Sequence, residues 1–95
     1  MPAYAIFIRN AITDPEEMKI YAAKAAKARD GHNLKPLIRY GALETLEGPP
    51  SEGVVLLEFP TMAEAKAWYD SPAYQDALQH RLKGSDYRVI LAEGV

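Results

Sequence analysis

Four short runs of β-branched, aromatic and aliphatic residues lie along the chain, and turn signals bound each of them. Such runs are typical of β-strands, and they predict strands over residues 4–9, 37–46, 54–59 and 87–92. Gly41 is predicted as a bulge or close-approach point within the second strand. Residues 48–53, rich in glycine and proline, form the strongest turn signal, so the second and third strands are predicted to pair as an antiparallel hairpin.

Between the first two strands, apolar residues recur at helical spacing and predict a helix. Asp14 is placed as its N-cap and Pro15 as its first residue, with Glu17 completing a capping box. Gly31 is the predicted stop. The apolar face of this helix consists of Met18, Tyr21, Ala22 and Ala25.

The second helical region follows the third strand and is predicted to be broken into two pieces. Thr61 and Glu64 predict a second capping box at its start. Pro72 interrupts the helix and restarts it, and the second piece runs to Gly84. The apolar positions are Ala65, Trp68 and Tyr69 in the first piece, and Tyr74, Ala77, Leu78 and Leu82 in the second.

The resulting order, β-α-β-β-α-β, predicts an α+β fold of the ferredoxin-like class. In that architecture a four-stranded antiparallel sheet carries its helices on one face. Ninety-five residues fit one domain, so residues 1–95 are predicted to form a single ferredoxin-like domain.

Both faces of the predicted sheet are apolar, although a sheet with one face in water normally alternates apolar and polar residues. Ile6 and Ile8 point to one face and Phe7 to the other, and Leu56 and Leu57 divide in the same way. The helices can cover only one face, and a bare apolar face is unusual for a soluble monomer. The prediction is a homodimer through the sheet face, and the alternative is a monomer with an ordinary mixed face.

Composition narrows the function classes. The chain has no cysteine, which excludes thiolate nucleophiles, disulfides and cysteine-ligated metals. Its net charge of −2 supplies no basic field, so no nucleic-acid partner is expected. Neither a signal sequence nor an apolar run of about 20 residues is present; no membrane partner is expected, and the cytoplasm is the default location. Since His32 and His80 show no recognised ligand spacing, no metal and no cofactor are predicted.

Six segments share the order and spacing of a known family. They are Tyr4-Ala5-Ile6-Phe7, Asp14-Pro15-Glu16, Leu46-Glu47-Gly48, Leu57-Glu58-Phe59-Pro60, Ala67-Trp68-Tyr69-Asp70-Ser71-Pro72-Ala73-Tyr74-Gln75 and Ala92-Glu93-Gly94. Over essentially the whole chain they resemble the uncharacterised bacterial family called domain of unknown function 1330. The resemblance implies membership of the dimeric α/β-barrel superfamily, in which two ferredoxin-like units pack sheet on sheet. That superfamily includes cofactor-free monooxygenases, isomerases and haem enzymes, so the resemblance implies no single reaction.

Two departures from the family pattern limit what the resemblance implies. Gly31-His32 stands where the family usually has two glycines, and Arg39-Tyr40-Gly41 stands where it has Arg-Gly-Gly. Ligand contacts that depend on those glycines are therefore not expected here.

His80 and Arg39 are the candidate catalytic residues. Histidine titrates nearest neutrality, so His80 would move a proton, while Arg39 would hold a carboxylate or enolate. For His80 the alternative is a histidine near a helix C-terminus that complements the helix dipole. For Arg39 it is an ion pair with Glu58 across the paired strands.

The candidate ligand-binding residues are centred on the helix break at Pro72, which would leave a gap between helix and sheet. Aromatic side chains supply apolar area with polar tips for orienting a ligand, and core packing is the alternative for Trp68. The predicted set is Tyr21, Arg39, Glu58, Trp68, Tyr69 and Tyr74.

Two functions remain open at this point. The first is a small dimeric protein that binds a small anionic or aromatic organic molecule between sheet and helices, as a binding protein or as a cofactor-free enzyme of the oxygenase, isomerase or lyase type. The second is a non-catalytic structural or stress-linked dimer without a ligand, which would have no closed pocket beside Trp68. Haem held by His32 or His80 is a third idea, which rests on the resemblance alone.

Overall fold

The structure, a computed structural model, describes residues 1–95 as a four-stranded antiparallel sheet with three helices. The strands lie in the order β2-β3-β1-β4, so the first and third strands of the chain are central. The predicted order is confirmed, including the division of the second helical region. The elements are β1 (Ala3–Ile12), α1 (Pro15–Ala28), β2 (Lys35–Arg39), β3 (Gly53–Phe59), α2 (Met62–Asp70), α3 (Pro72–Gly84) and β4 (Ser85–Glu93).

The core lies between the helices and one face of the sheet. On β1, Ala3, Ala5 and Phe7 are buried, while the side chains between them are only partly covered. Trp68 on α2 packs edge-on against Phe7, with ring centroids 6.2 Å apart. The alternation predicted for the first strand is therefore confirmed, because successive strand residues point to opposite faces.

The first two helices begin at the capping residues that the sequence predicts. The Asp14 carboxylate accepts a hydrogen bond from the backbone N–H of Glu16 at 3.1 Å, and Thr61 accepts one from Glu64 at 3.1 Å. Ser71 caps α3 through the N–H of Tyr74. Side-chain oxygens at these positions satisfy donors that have no partner within the helix.

The capping box predicted at the start of α1 is wrong in its second half. The Asp14 backbone N–H donates to the Gly84 carbonyl at 3.0 Å, so it does not need the Glu17 carboxylate. That carboxylate contacts His80 on α3 instead. Glu17 thus forms a tertiary contact with His80 in place of the predicted local contact with the Asp14 backbone.

The second strand is shorter than predicted, because Tyr40 adopts a left-handed conformation with φ 52°. Gly41 is outside the strand, and the bulge lies between Pro36 and Ile38. Tyr40 lays its ring over Gly53, where an added Cβ would stand 2.5 Å from the ring. A non-glycine residue in this region costs about 1–2 kcal/mol, and the packing of the ring over Gly53 offsets that strain.

The sheet face away from the helices carries an apolar patch, with the charged residues Glu58 and Arg88 beside it on the same face. Ile6 lies at its centre, directly between Leu56 on β3 and Ile90 on β4. Ile90 is 41% exposed and Ile38, at the β2 edge, is 42% exposed. We call this the open face, defined by Tyr4, Ile6, Ile8, Ile38, Val54, Leu56, Ile90 and Ala92. None of the three helices combines the length and the apolar character needed to cross a membrane.

Candidate functional site

A cavity of about 420 Å³ lies between α1 and the covered face of the sheet. We call it the α1 cavity. Eleven of the fourteen lining side chains are apolar or aromatic, and the other three are arginines. No carboxylate and no imidazole lines it. The lining residues are Phe7, Arg9, Ile12, Met18, Tyr21, Ala22, Ala25, Ala26, Arg29, Arg39, Tyr40, Val55, Leu57 and Trp68.

The cavity exists because α1 presents small side chains to the sheet. Ala22, Ala25 and Ala26 face the gap, and alanine is too short to fill it. The helix is held at this distance by its contacts with α3. Gly84 permits the close approach of the two helices, because a Cβ there would lie 2.9 Å from the Asp14 carbonyl oxygen.

Three side-chain contacts join α1 to α3. Lys24 Nζ lies 2.5 Å from Asp76 Oδ2, and this ion pair lowers the pKa of Asp76 through a hydrogen bond. His80 Nδ1 lies 2.6 Å from Glu17 Oε2. The third contact joins the hydroxyls of Tyr21 and Tyr74. The outer wall of the cavity is therefore α1, which is held against α3 by three contacts spaced along its length.

The three cavity arginines come from three different elements. Arg9 continues β1 on the Phe7 side, Arg29 follows the last residue of α1, and Arg39 ends β2. The Arg9 guanidinium lies 4.5 Å from the centroid of the Tyr40 ring, and its Nε is 3.5 Å from Glu52 Oε1. Glu52 does not line the cavity, and Arg29 and Arg39 form no ion pair. The cavity wall therefore carries unbalanced positive charge.

Two polar groups lie deeper in the wall. The Tyr21 hydroxyl is 2.9 Å from the Tyr74 hydroxyl, and burial raises the pKa of Tyr21 far above its usual value. Trp68 is 3% exposed, and its Nε1 has no hydrogen-bond partner. A buried N–H without a partner is uncommon in proteins. Both groups remain protonated at neutral pH and offer donors.

Arg81 is a residue that the sequence interpretation missed. It is 4% exposed, it has no carboxylate partner, and its guanidinium lies 5.1 Å from the Tyr87 ring centroid and 5.8 Å from that of Phe7. The prediction that Leu82 belongs to the apolar face of α3 is wrong, because Leu82 is 66% exposed and Arg81 takes the inward position. The helical spacing of Tyr74, Leu78 and Arg81 is the signal that would have found it.

The predicted ligand-binding residues do not all meet. Tyr21, Arg39 and Trp68 line the α1 cavity. Tyr74 is fully buried behind it, with its ring centroid 4.2 Å from that of Trp68, and Tyr69 packs on the far side of Tyr74 at 5.4 Å. Those two residues support the wall and do not form it.

Glu58 and Arg39 lie on opposite sides of the sheet, so the predicted ion pair between them is wrong. Arg39 is opposite Val55 on the covered side, whereas Glu58 is opposite Lys35 and Tyr4 on the open side. An offset of three residues along a strand reverses the face.

The two histidines lie away from the cavity wall. His80 is at the interface of α1 and α3, where it contacts Glu17. Its catalytic role stays a prediction, and neither histidine is placed to ligate a haem in the cavity. No group of three potential metal ligands occurs anywhere in the structure.

The fold and the cavity together define a ferredoxin-like α+β domain with a ligand-sized chamber beneath its first helix. The chain belongs to the family described as domain of unknown function DUF1330, whose model matches residues 2–95. No curated protein matches it.

Solved structures agree on the fold. The RPA0582 protein of unknown function from Rhodopseudomonas palustris is 21% identical, with a TM-score of 0.72 over 99% of this chain and 82% of its own. A dimeric ferredoxin-like protein of unknown function from Thermobifida fusca is 14% identical, with a TM-score of 0.64 over 97% and 90%. SnoaB, a cofactor-independent oxygenase from Streptomyces nogalater, is 12% identical, with a TM-score of 0.61 over 99% and 92%. At these identities the likeness shows the fold alone.

Proposed function

We propose that this protein binds a small organic anion with an aromatic or alicyclic body in the α1 cavity. The observation that carries the proposal is the composition of the wall: eleven apolar or aromatic residues, three arginines and no acid. Ligand sites generally combine a mostly apolar lining with a few convergent polar groups, in volumes of about 300–1,000 Å³. At about 420 Å³, the α1 cavity falls within that range.

The expected role of each residue in the site follows from the chemistry of its side chain. Phe7, Val55 and Trp68 would cover the ring system of the ligand and remove apolar area from water. Arg29 and Arg39 would pair with its carboxylate, since the planar guanidinium donates two parallel hydrogen bonds to that group. Charge in the wall also disfavours cations and uncharged analogues of the same shape.

The ligand-free structural module is the weaker alternative. It requires a tightly packed Trp68, which is 3% exposed here, and no pocket beside that residue, whereas Trp68 contributes to the lining of the α1 cavity.

A cofactor-free reaction on the bound anion is the catalytic form of the proposal. With His80 outside the wall, the groups able to act on a ligand are the hydroxyls of Tyr21 and Tyr40 and the three arginines. They would stabilise an enolate or phenolate oxygen. SnoaB is described as a cofactor-independent oxygenase, which supports such chemistry on this fold without assigning it to this chain.

Pairing of two copies through the open face completes the proposal. The centre of the face is apolar, and large apolar patches on soluble proteins generally mark interaction sites. Two solved neighbours with this fold are described as dimeric. The covered face would then bind the ligand, and the open face would bind the second copy of the chain.

The binding test compares three probes that share a naphthalene ring and differ in charge: 2-naphthoate, 2-naphthalenemethanol and 2-naphthylmethylammonium. Calorimetry should show the tightest binding for the anion and the weakest for the cation. Arg39→Gln should weaken naphthoate binding about threefold to tenfold, as expected for one partly exposed charge. Lys66→Gln removes an equal charge from the exposed surface of α2 and should leave the affinity unchanged. Equal binding of all three probes, or of none, would refute the proposal.

A further inference from the structure

The side chain of Tyr40 lies on a different face of the sheet from the one that strand alternation predicts. Arg39, the last residue of β2, is opposite Val55 on the covered side, so a continued strand would turn the next side chain to the open face. The left-handed conformation of Tyr40, with φ 52°, ends the strand and returns the ring to the covered side, where it lines the α1 cavity. The Tyr40 backbone N–H still donates to the Val54 carbonyl at 2.9 Å, so the residue remains attached to β3.

The Tyr40 ring crosses one row of the sheet. The row consists of Gly53 on β3, Arg9 on β1 and Tyr87 on β4, which are register partners. A Cβ at Gly53 would stand 2.5 Å from the Tyr40 ring, and the Arg9 guanidinium lies 4.5 Å from the ring centroid. At the far end, the hydroxyls of Tyr40 and Tyr87 share a hydrogen bond of 2.5 Å. The side chain is therefore held along its whole length, from the end of β2 to β4.

The direction of the strands places Tyr40 at one end of the α1 cavity. β1 and β2 both pair antiparallel with β3, so they run parallel to each other. α1 joins the end of β1 to the start of β2 and therefore runs in the opposite direction. Arg29, which follows the last residue of α1, lies at the end of the cavity where β2 begins. Tyr40 lies at the end where β2 finishes.

Tyr40 forms a boundary wall at that end. Its side chain lines the cavity, yet the residue is 42% exposed, so the ring has the cavity on one side and solvent on the other. Gly53 has no side chain to occupy this space in its place. The row of Gly53 follows that of Val55 and Phe7, and adjacent rows on one face are about 6.7 Å apart. Removing the Tyr40 ring would therefore lengthen the cavity by about one aromatic ring.

We propose that Tyr40 is a specificity-determining residue that limits the length of the ligand in the α1 cavity. This inference rests on the proposed function, in which Arg29 and Arg39 pair with the carboxylate. With the carboxylate toward Arg29, the apolar body of the ligand points toward Tyr40. The ligand class is thereby narrowed to compact anions whose apolar body ends before the row of Gly53. Anions that carry a further ring in line with the first two are excluded.

A purely structural role for Tyr40 is the alternative, since its hydroxyl also connects the end of β2 to β4. The two roles differ in what they do to ligands of different length. A loss of rigidity would weaken the binding of short and long ligands alike and leave the ratio of their affinities unchanged. Loss of an end wall would change that ratio.

The experiment compares 2-naphthoate with 6-phenyl-2-naphthoate, whose additional ring lies at the end opposite to the carboxylate. An unobstructed apolar site binds the larger probe more tightly, because more apolar area is removed from water. A preference for the shorter probe therefore reports an obstruction. Calorimetry gives both dissociation constants. The wild-type protein should bind 2-naphthoate at least about tenfold more tightly than the longer probe.

Two substitutions remove the ring and retain the backbone conformation. Glycine adopts positive φ readily and asparagine tolerates it, so Tyr40→Gly and Tyr40→Asn should fold, and each should reverse the preference in favour of the longer probe. Tyr40→Phe loses only the hydroxyl contact with Tyr87 and should keep a reduced preference for 2-naphthoate. Ala42→Gly is the matched control, because it adds a glycine to the same connection at an exposed position outside the cavity wall. Its ratio should equal that of the wild-type protein.

A wild-type protein that binds the longer probe as tightly as 2-naphthoate would overturn the inference. An unchanged ratio in whichever of Tyr40→Gly and Tyr40→Asn folds would also overturn it. In either case, binding of 2-naphthoate in the charge series leaves the proposed function standing. Failure of 2-naphthoate to bind would overturn both.

Discussion

The two faces of the sheet are built from the same strands and are both largely apolar, yet only the covered face borders a cavity with a mostly apolar lining. On the covered face, small residues such as Ala5 alternate with Phe7, and α1 adds a row of alanines that stops short of the strands. On the open face, Ile6, Leu56 and Ile90 lie side by side. The proposed ligand site and the proposed pairing surface therefore differ in side-chain size and in the placement of arginine more than in apolarity.

The largest expected effect concerns the open face. Ile90→Glu places a charge in the proposed dimer interface, and burying an unpaired carboxylate there should weaken the dimer by about a hundredfold or more. Ile20→Glu is the matched control, because Ile20 lies on α1 and is also 41% exposed. Sedimentation velocity across a dilution series measures both. If the unsubstituted protein were monomeric, or if the two variants dissociated equally, the open face would not be a dimer interface.

The covered face should respond to added volume in two opposite ways. Ala25→Leu extends a side chain into the α1 cavity, so it should reduce 2-naphthoate affinity at least about tenfold with little loss of stability. Ala5→Leu adds the same atoms to the fully buried β1 core, where overpacking should cost about 1–3 kcal/mol. Calorimetry and urea denaturation separate the two results. Equal destabilisation by both substitutions would mean that the space under α1 is not available to a ligand.

High pH should affect the covered face through its tyrosines. Burial raises the pKa of Tyr21, Tyr74 and Tyr87 above the ordinary value of about 10. In the folded state these side chains keep their protons, whereas in the unfolded chain they ionise. Their contribution to stability is therefore complete below about pH 10 and is lost as the pH rises above it. Urea denaturation from about pH 9 to about pH 11.5 should show this decline.

Tyr74→Phe should make that decline shallower than in the wild-type protein, because one of the three groups is gone. Tyr69→Phe serves as the control, because it removes a hydroxyl that takes no part in the Tyr21–Tyr74 hydrogen bond. If the two variants gave the same slope as the wild type, burial of Tyr74 would not be coupled to its protonation.

The smallest expected effect concerns the contact between His80 and Glu17. His80→Gln should lower stability by about 0.5–1 kcal/mol, since the pair is partly buried and a hydrogen bond is lost. It should leave the affinity for 2-naphthoate unchanged, because His80 lies outside the cavity wall. Denaturation and calorimetry give the two values. If His80→Gln reduced the free energy of 2-naphthoate binding by more than it reduced the free energy of unfolding, His80 would belong to the ligand site.

Local sequence signals were sufficient for the architecture. The turn at residues 48–53 and the caps at Asp14, Thr61 and Ser71 all act over a few residues, so their effects could be inferred without the fold. The length of β2 could not, because it depends on Tyr40 packing over Gly53. That contact joins residues on two strands and has no signature in either segment alone.

The candidate site was predicted only in part. Tyr21, Arg39 and Trp68 were placed in the pocket from their residue types and positions, but Arg9 and Arg29 were missed. Arg9 is two residues beyond Phe7 on the same strand face, and Arg29 is four beyond Ala25 on the same helix face, so periodicity contained the signal.

Arg81 was missed although it follows the helical spacing of Tyr74 and Leu78. A charged residue is normally assigned to the exposed side of a helix, and only the assembled fold brings the rings of Phe7 and Tyr87 to either side of its guanidinium. The ion pair between Glu58 and Arg39 was predicted wrongly because it required both side chains to lie on the same face of the sheet. The strand register places the two side chains on opposite faces.

A crystal structure of the protein with 2-naphthoate is the decisive test of the proposed anion-binding cavity on the covered face. We expect the naphthalene ring beneath α1 against Trp68, with the carboxylate among Arg9, Arg29 and Arg39. A naphthoate found on the open face, or an α1 cavity that stays empty at saturating naphthoate, would contradict it.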